Sequence, residues 1–236
     1  MCKDCNNGTV SRRGLITGGL ALSLAVPLAG QALAQEEANP APASPDEALQ
    51  RLIEGNARYV ANAAINTDHS VTRASRAEGQ QPFAAIVSCS DSRVAPELIF
   101  DQGPGELFVV RVAGNFISEE GLATLEYGVA VLGIKTIVVL GHTACGAVEA
   151  TIQSISDNEL PGGHLPSLVN AIRPAVYDVL DSAPSDLMAA ATAQNAKLNA
   201  ERALNEGPIL SEAHANGMLN SAAGIYDIAT GKVTLL

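Results

Sequence analysis

The chain has no cluster of lysine or arginine, and its 14 basic residues are outnumbered by 25 acidic ones, for a formal net charge of -11. A nucleic-acid partner is thereby disfavoured, because phosphate binding needs a basic face. No segment repeats, so the 236 residues are not an array of small units. No apolar run is long and clean enough to span a membrane, apart from one stretch near the N-terminus. Cysteine is scarce: only Cys2, Cys5, Cys89 and Cys145 occur. What is plentiful is apolar residues, 47% of the chain, enough for the core of one domain with extensions.

Residues 1–34 read as an address. Ser11-Arg12-Arg13-Gly14-Leu15 is a twin-arginine pattern, Leu15 to Leu33 is mildly apolar, and Ala32-Leu33-Ala34 is a small-x-small cleavage site. An uncleaved anchor is the alternative, since the apolar stretch is just long enough to span. Cleavage would discard Cys2 and Cys5, make the chain more acidic, and leave no stable membrane insertion. The expected destination is the periplasm or another exported location. Twin-arginine export carries folded proteins, so a metal could be loaded before transport. Residues 35–43 form an acidic, Pro-rich linker.

The remainder, 44–236, is expected to be one catalytic domain. Ser44-Pro45-Asp46-Glu47 is a helix start with a capping box, and Leu49, Leu52, Ile53 and Val60 follow at helical spacing. This amphipathic helix would be an arm for packing on a partner subunit. Strands are expected at Phe83–Val87, Leu107–Val112 and Thr136–Leu140. Helices are expected at Pro96–Phe100, Glu119–Leu132, Ala144–Ile155, Pro166–Leu180 and Ala189–Leu204. Gly224–Ile228 and Lys232–Leu236 flank Ala229-Thr230-Gly231 as a terminal hairpin. Alternation of α and β elements with solidly apolar strands predicts an α/β fold: a mainly parallel central sheet with helices on both faces.

In such sheets ligands bind beyond the carboxyl ends of strands. Two chemically loaded segments fall there: Ser88-Cys89-Ser90-Asp91-Ser92-Arg93 after the first strand and Gly141-His142-Thr143-Ala144-Cys145-Gly146 after the third. His142 and Cys145, three apart, can face one point, and Cys89 supplies a third donor. Two thiolates and an imidazole suit Zn²⁺ and leave a fourth position for water. A disulfide between the two cysteines is the competing reading in an oxidising compartment, and His142 alone would read as a core histidine. Asp91 and Arg93 would lie on one side of an extended segment as a bidentate pair; an ordinary salt bridge is the alternative. In the functional reading Arg93 holds Asp91 away from the metal, and rupture of the pair would let Asp91 take the fourth position and close the site. Gly141 to Gly146 mimics half a phosphate loop but lacks its Lys and Ser/Thr, with Ala147 and Val148 there instead. His164 is a weak candidate proton shuttle, with a loop or helix-cap histidine the alternative; His69 and His214 lack any partner pattern, and Glu126 and Glu149 most simply lie on helices.

Cys-x-Asp-x-Arg followed about fifty residues later by His-x-x-Cys resembles the β-carbonic anhydrase family. The resemblance covers roughly Pro45 to Leu236 and includes Phe108-Val109-Val110-Arg111 and Glu126-Tyr127. It implies one Zn²⁺ per subunit on Cys89, His142 and Cys145, and reversible hydration of CO₂ to bicarbonate and a proton by a zinc-bound hydroxide. Asp91 and Arg93 would be its catalytic dyad. It also implies a homodimer or homotetramer whose substrate pocket crosses the dimer interface, with Gln80 binding substrate from the adjoining subunit and Phe108 and Tyr127 as apolar walls. Bicarbonate-regulated members carry a tryptophan three residues before the first cysteine. Here Ile86 stands there and the chain contains no tryptophan, so that regulatory site is not expected and Arg111 is expected to be structural. Carbon disulfide or carbonyl sulfide hydrolysis on the same scaffold, a zinc protein without turnover, and a disulfide-stabilised binding protein are the alternatives.

Overall fold

Ala84-Ala85-Ile86-Val87-Ser88 carries no charge, and all five residues are buried. Such a run is stable only when both faces are covered, and it forms the centre of the molecule. The computed structural model describes residues 40–69 and 73–236. The expected signal segment, Cys2 and Cys5, and the linker up to residue 39 lie outside the described residues. No helix among the described residues is long and apolar enough to cross a membrane.

The sheet has the order β2-β1-β3-β4-β5, with β1 at Ala84–Ser88, β2 at Leu107–Arg111, β3 at Thr136–His142, β4 at Asn220–Tyr226 and β5 at Val233–Leu235. The first four strands run parallel, and β5 folds back antiparallel on β4, with Ile225 opposite Thr234. The α/β expectation and the terminal hairpin therefore hold. On one face, Ala85, Val87, Ile137, Val139 and Ala223 pack under α4 (Glu119–Ala130), α7 (Leu187–Asn205) and α8 (Ile209–Ala215). On the other, Ala84, Ile86, Val138, Leu140 and Tyr226 pack under α1 (Pro45–Val60) and α3 (Pro96–Ile99). A short α2 spans Arg73–Arg76, while α5 (Gly146–Ser156) and α6 (Leu165–Leu180) enclose one end of the sheet.

Helix α1 starts as expected, with the Ser44 hydroxyl accepting the Glu47 N–H at 3.2 Å. The reciprocal bond differs: Glu47 reaches the N–H of Ala43, one residue before the cap. The helix docks on its own sheet through Ala48 and Leu52, and a Cβ at Gly55 would collide with the Phe100 carbonyl. Ile53 and Val60 remain 42% exposed.

Two short helices, α2 and α8, escaped the sequence reading, and β4 spans Asn220–Tyr226 rather than Gly224–Ile228. The stretch Asn220-Ser221-Ala222-Ala223 lacks large apolar side chains because α7 lies against it. A third difference matters for the site: α5 begins at Gly146, not Ala144. Ala144 has φ +54°, a left-handed conformation closed to a helix, and Cys145 is the N-cap.

Candidate metal centre

From β1 the chain turns to β2 on one side, then returns to β3 on the other. The crevice beyond β1 and β3 is therefore the switch point, where loops leave in opposite directions and a ligand fits. Ser88 pairs with Leu140, so Cys89 and His142 emerge side by side. The left-handed turn at Ala144 then brings Cys145 back toward them. The donor atoms of Cys89, His142 and Cys145 all lie within 4.8 Å of one another, and all three residues are buried. Both cysteines are free thiols, so the disulfide reading is not the arrangement found.

The imidazole shows how the cluster is built. His142 Nδ1 lies 2.9 Å from the Thr143 carbonyl, to which it donates. That fixes the tautomer and leaves the Nε2 lone pair pointing inward. Nε2 is buried and has no hydrogen-bond partner among the described residues, a placement suited to a metal ligand because it faces two sulfurs. Two sulfurs and one such nitrogen fit Zn²⁺.

The thiols differ. The Cys145 S–H bond pulls the Cys89 thiol down to about 4; burial opposes this, while His142 and the N–H groups of Gly114 and Asp91 assist. The Gly114 N–H donates to the Cys89 sulfur at 3.2 Å. Cys145 is pushed above the ordinary thiol range, first by its bond to Cys89 and then by burial. The Ala147 and Val148 N–H groups in the first turn of α5 pull the other way. Burial disfavours a charged His142, but the Cys89 thiolate and the Thr143 carbonyl outweigh it and raise its pKa.

Asp91 and Arg93 pair as expected, but not in an extended segment. Val94 N–H bonds the Asp91 carbonyl at 3.0 Å, closing a turn. Within it, Arg93 Nε donates to Asp91 Oδ1 at 2.9 Å, Nη2 to Oδ2 at 2.7 Å, and the Arg93 N–H to Oδ1 at 2.9 Å. The guanidinium bonds hold the Asp91 carboxyl well below the usual carboxylate range; burial opposes them, and the Arg93 N–H and charged His142 add to them. Both oxygens being engaged, Asp91 stands outside the three-donor cluster. Arg111 is structural, as expected: Nε donates to the Cys89 carbonyl at 3.1 Å and Nη2 to the Asp91 carbonyl at 2.7 Å.

The other expected site residues stand apart. Gln80 is exposed between α2 and β1. Phe108 sits opposite Ala85, four residues before Cys89 and so roughly 13 Å along the sheet. Its ring faces Tyr127 at 6.4 Å between centroids, and Tyr127 is 50% exposed. Phe108 and Tyr127 therefore lie away from the donor cluster of their own chain. His164 is exposed at the N-cap of α6 and makes no capping bond with its side chain.

Sequence reasoning missed the loop that covers Cys89. Gly114 has φ +87°, and a Cβ there would meet Ile172 Cδ1 at 2.5 Å. Asn195 Nδ2 donates to the Gly114 carbonyl at 2.8 Å, and the Ile117 N–H donates to Asn199 Oδ1 at 2.8 Å. The available signal was asparagine at 195 and 199, four apart, in an otherwise Ala-rich helix.

Fold and site together define an α/β protein with three convergent donors, able to hold a metal ion, at its switch point. A family model described as Carbonic anhydrase matches residues 84–233, and the chain belongs to that family, in its β class. It is 48% identical over 134 residues to Carbonic anhydrase 2 of Mycobacterium tuberculosis, a match covering 56% of this chain and 65% of that protein. To the carbonic anhydrase of Pseudomonas aeruginosa it is 36% identical over 174 residues, covering 69% and 76%. One of two tetrameric β-carbonic anhydrases from Sordaria macrospora superposes with TM-score 0.64 at 26% identity, over 80% of this chain and 96% of that one.

Proposed function

We propose that this chain catalyses the reversible hydration of CO₂, using one Zn²⁺ held by Cys89, His142 and Cys145. The observation that carries the reading is the buried, unpartnered Nε2 of His142, converging with two sulfurs beside a carboxylate clamped by arginine. Zn²⁺ held by these three residues would supply a Lewis acid able to make water a nucleophile near neutral pH.

The protein's own residues supply the rest. Asp91, kept ionised by Arg93, accepts an O–H and so directs an oxygen lone pair at the carbon of CO₂. Addition of water to CO₂ gives bicarbonate and one proton. Asp91 is too acidic to retain that proton, which passes to solvent. The Gly114 N–H withdraws charge from the Cys89 sulfur, offsetting part of what two thiolates donate. The pocket's Gln80, Phe108 and Tyr127 act across an interface, toward the centre of a second copy, which makes the working unit a homodimer or homotetramer. The exposure of Gln80 and Tyr127, and the distance of Phe108 and Tyr127 from their own cluster, support this. Export by a twin-arginine route rests on Ser11 to Leu15.

The test is metal analysis and stopped-flow CO₂ hydration of the purified protein. One zinc per chain with turnover abolished by a chelator and restored by Zn²⁺ supports the reading. Metal-free protein that gains no turnover with Zn²⁺ overturns it.

A further inference from the structure

Helix α7 presents polar groups where an apolar face would be expected. Asn195, Asn199 and Arg202 fall at i, i+4 and i+7, on one side of the helix. All three grip the loop after β2. Asn195 Nδ2 donates to the Gly114 carbonyl at 2.8 Å, Asn199 Oδ1 accepts the Ile117 N–H at 2.8 Å, and Arg202 Nη1 donates to the Ile117 carbonyl at 2.7 Å. Asn199 Nδ2 in turn donates to the Asn195 carbonyl at 2.9 Å and faces its Oδ1 at 3.3 Å, so the two amides brace one another. Asn195 is 1% exposed and Asn199 8%.

The gripped loop carries the Gly114 N–H, which donates to the Cys89 sulfur at 3.2 Å. Gly114 is held in a conformation that L side chains rarely adopt, pressed against Ile172 and Ala147. The Gly114 carbonyl is held by a side chain 81 positions away in sequence. We propose that Asn195 is a positioning residue of the metal centre: by clamping the Gly114 carbonyl it aims the Gly114 N–H at the Cys89 thiolate and fixes that sulfur toward the metal. The inference rests on Cys89 being a metal ligand, as proposed above. A hydrogen bond to a ligand sulfur takes up part of its charge, and outer partners of this kind change metal affinity by roughly 10–100-fold.

The test uses the full chain as Asn195→Leu, which removes the donor and keeps volume. Asn199 retains its bond to the residue 195 carbonyl. Zinc release to a chromophoric chelator should be at least about tenfold faster. In the cobalt-substituted protein the thiolate-to-metal charge-transfer band should move to longer wavelength, because the sulfur is more electron-rich. Lys197→Gly, a destabilising change at an exposed position of the same helix, should leave both unchanged. If Asn195→Leu does not accumulate folded, Asn195→Ser, too short to reach Gly114, takes its place. In the wild type loaded with spin-active cadmium, the Gly114 amide proton should show scalar coupling to the metal through the sulfur. A folded Asn195 variant with wild-type zinc release and an unmoved band overturns the proposal, as does absence of the Gly114 coupling. A wild-type protein that binds cobalt with no thiolate band overturns the metal reading and this proposal together.

Discussion

Arg93 engages both carboxylate oxygens of Asp91, Nε to Oδ1 at 2.9 Å and Nη2 to Oδ2 at 2.7 Å, two residues from Cys89. The pair is a fork matched to a carboxylate, and it keeps Asp91 charged and directed. Asp91→Asn should therefore keep its zinc and lose on the order of 100-fold or more in kcat. Arg93→Ala should raise the Asp91 pKa toward the ordinary carboxylate value and shift the acid limb of the rate profile upward in pH. Stopped-flow rates across pH check both, and near wild-type turnover in Asp91→Asn would reduce the pair to a salt bridge.

The buried donors predict a paired loss. Cys89→Ser and His142→Ala should each lower zinc from one per chain to a small fraction, together with activity, since two protein donors hold the ion poorly. Atomic absorption on dialysed protein reads this directly. Stoichiometric zinc in both variants would remove these residues from the ligand set.

A second carboxylate governs stability. Asp101 is 2% exposed and accepts from Arg58 Nε at 2.5 Å and from the N–H groups of Ile65 and Asn66. Burial alone would raise its pKa, but these bonds lower it. With a depressed native pKa, the stabilisation is present above the unfolded value, near 3.9, and is lost as pH falls below it. Asp101→Asn should cost about 1.5–3 kcal/mol at neutral pH and flatten the fall in stability below about pH 4. Urea titrations at several pH values show the difference, and parallel pH dependences would refute it.

Bicarbonate should inhibit without cooperativity. Ile86 is fully buried in the core face of β1 and offers no donor. Arg111 already serves the carbonyls of Cys89 and Asp91. An anion beside them would lose hydration without replacement, about 1–3 kcal/mol, or roughly one to two factors of ten in affinity. Initial rates against bicarbonate at fixed pH and ionic strength should trace a hyperbola. A sigmoidal curve would contradict the assignment.

Much of this centre was legible in one dimension. Apolar runs without charge marked β1 and β3 as strands buried on both faces, and chemically loaded segments directly after them had to fall at one sheet edge. The His142–Cys145 spacing and the nearby Asp91 and Arg93 are local features, set within a turn, so their types and intervals sufficed. What tertiary structure decided is of another kind. The left-handed Ala144, which delays α5 and returns Cys145 to the cluster, is a backbone state that no side-chain pattern announces. Strand β4 was shortened in the reading because its small residues are dictated by the closeness of α7. The Asn195–Gly114–Cys89 chain depends on a helix packing over a loop 81 residues distant. Periodicity reports which face of an element is buried, but not which loop that face will meet; only the packing of elements far apart in sequence determines that.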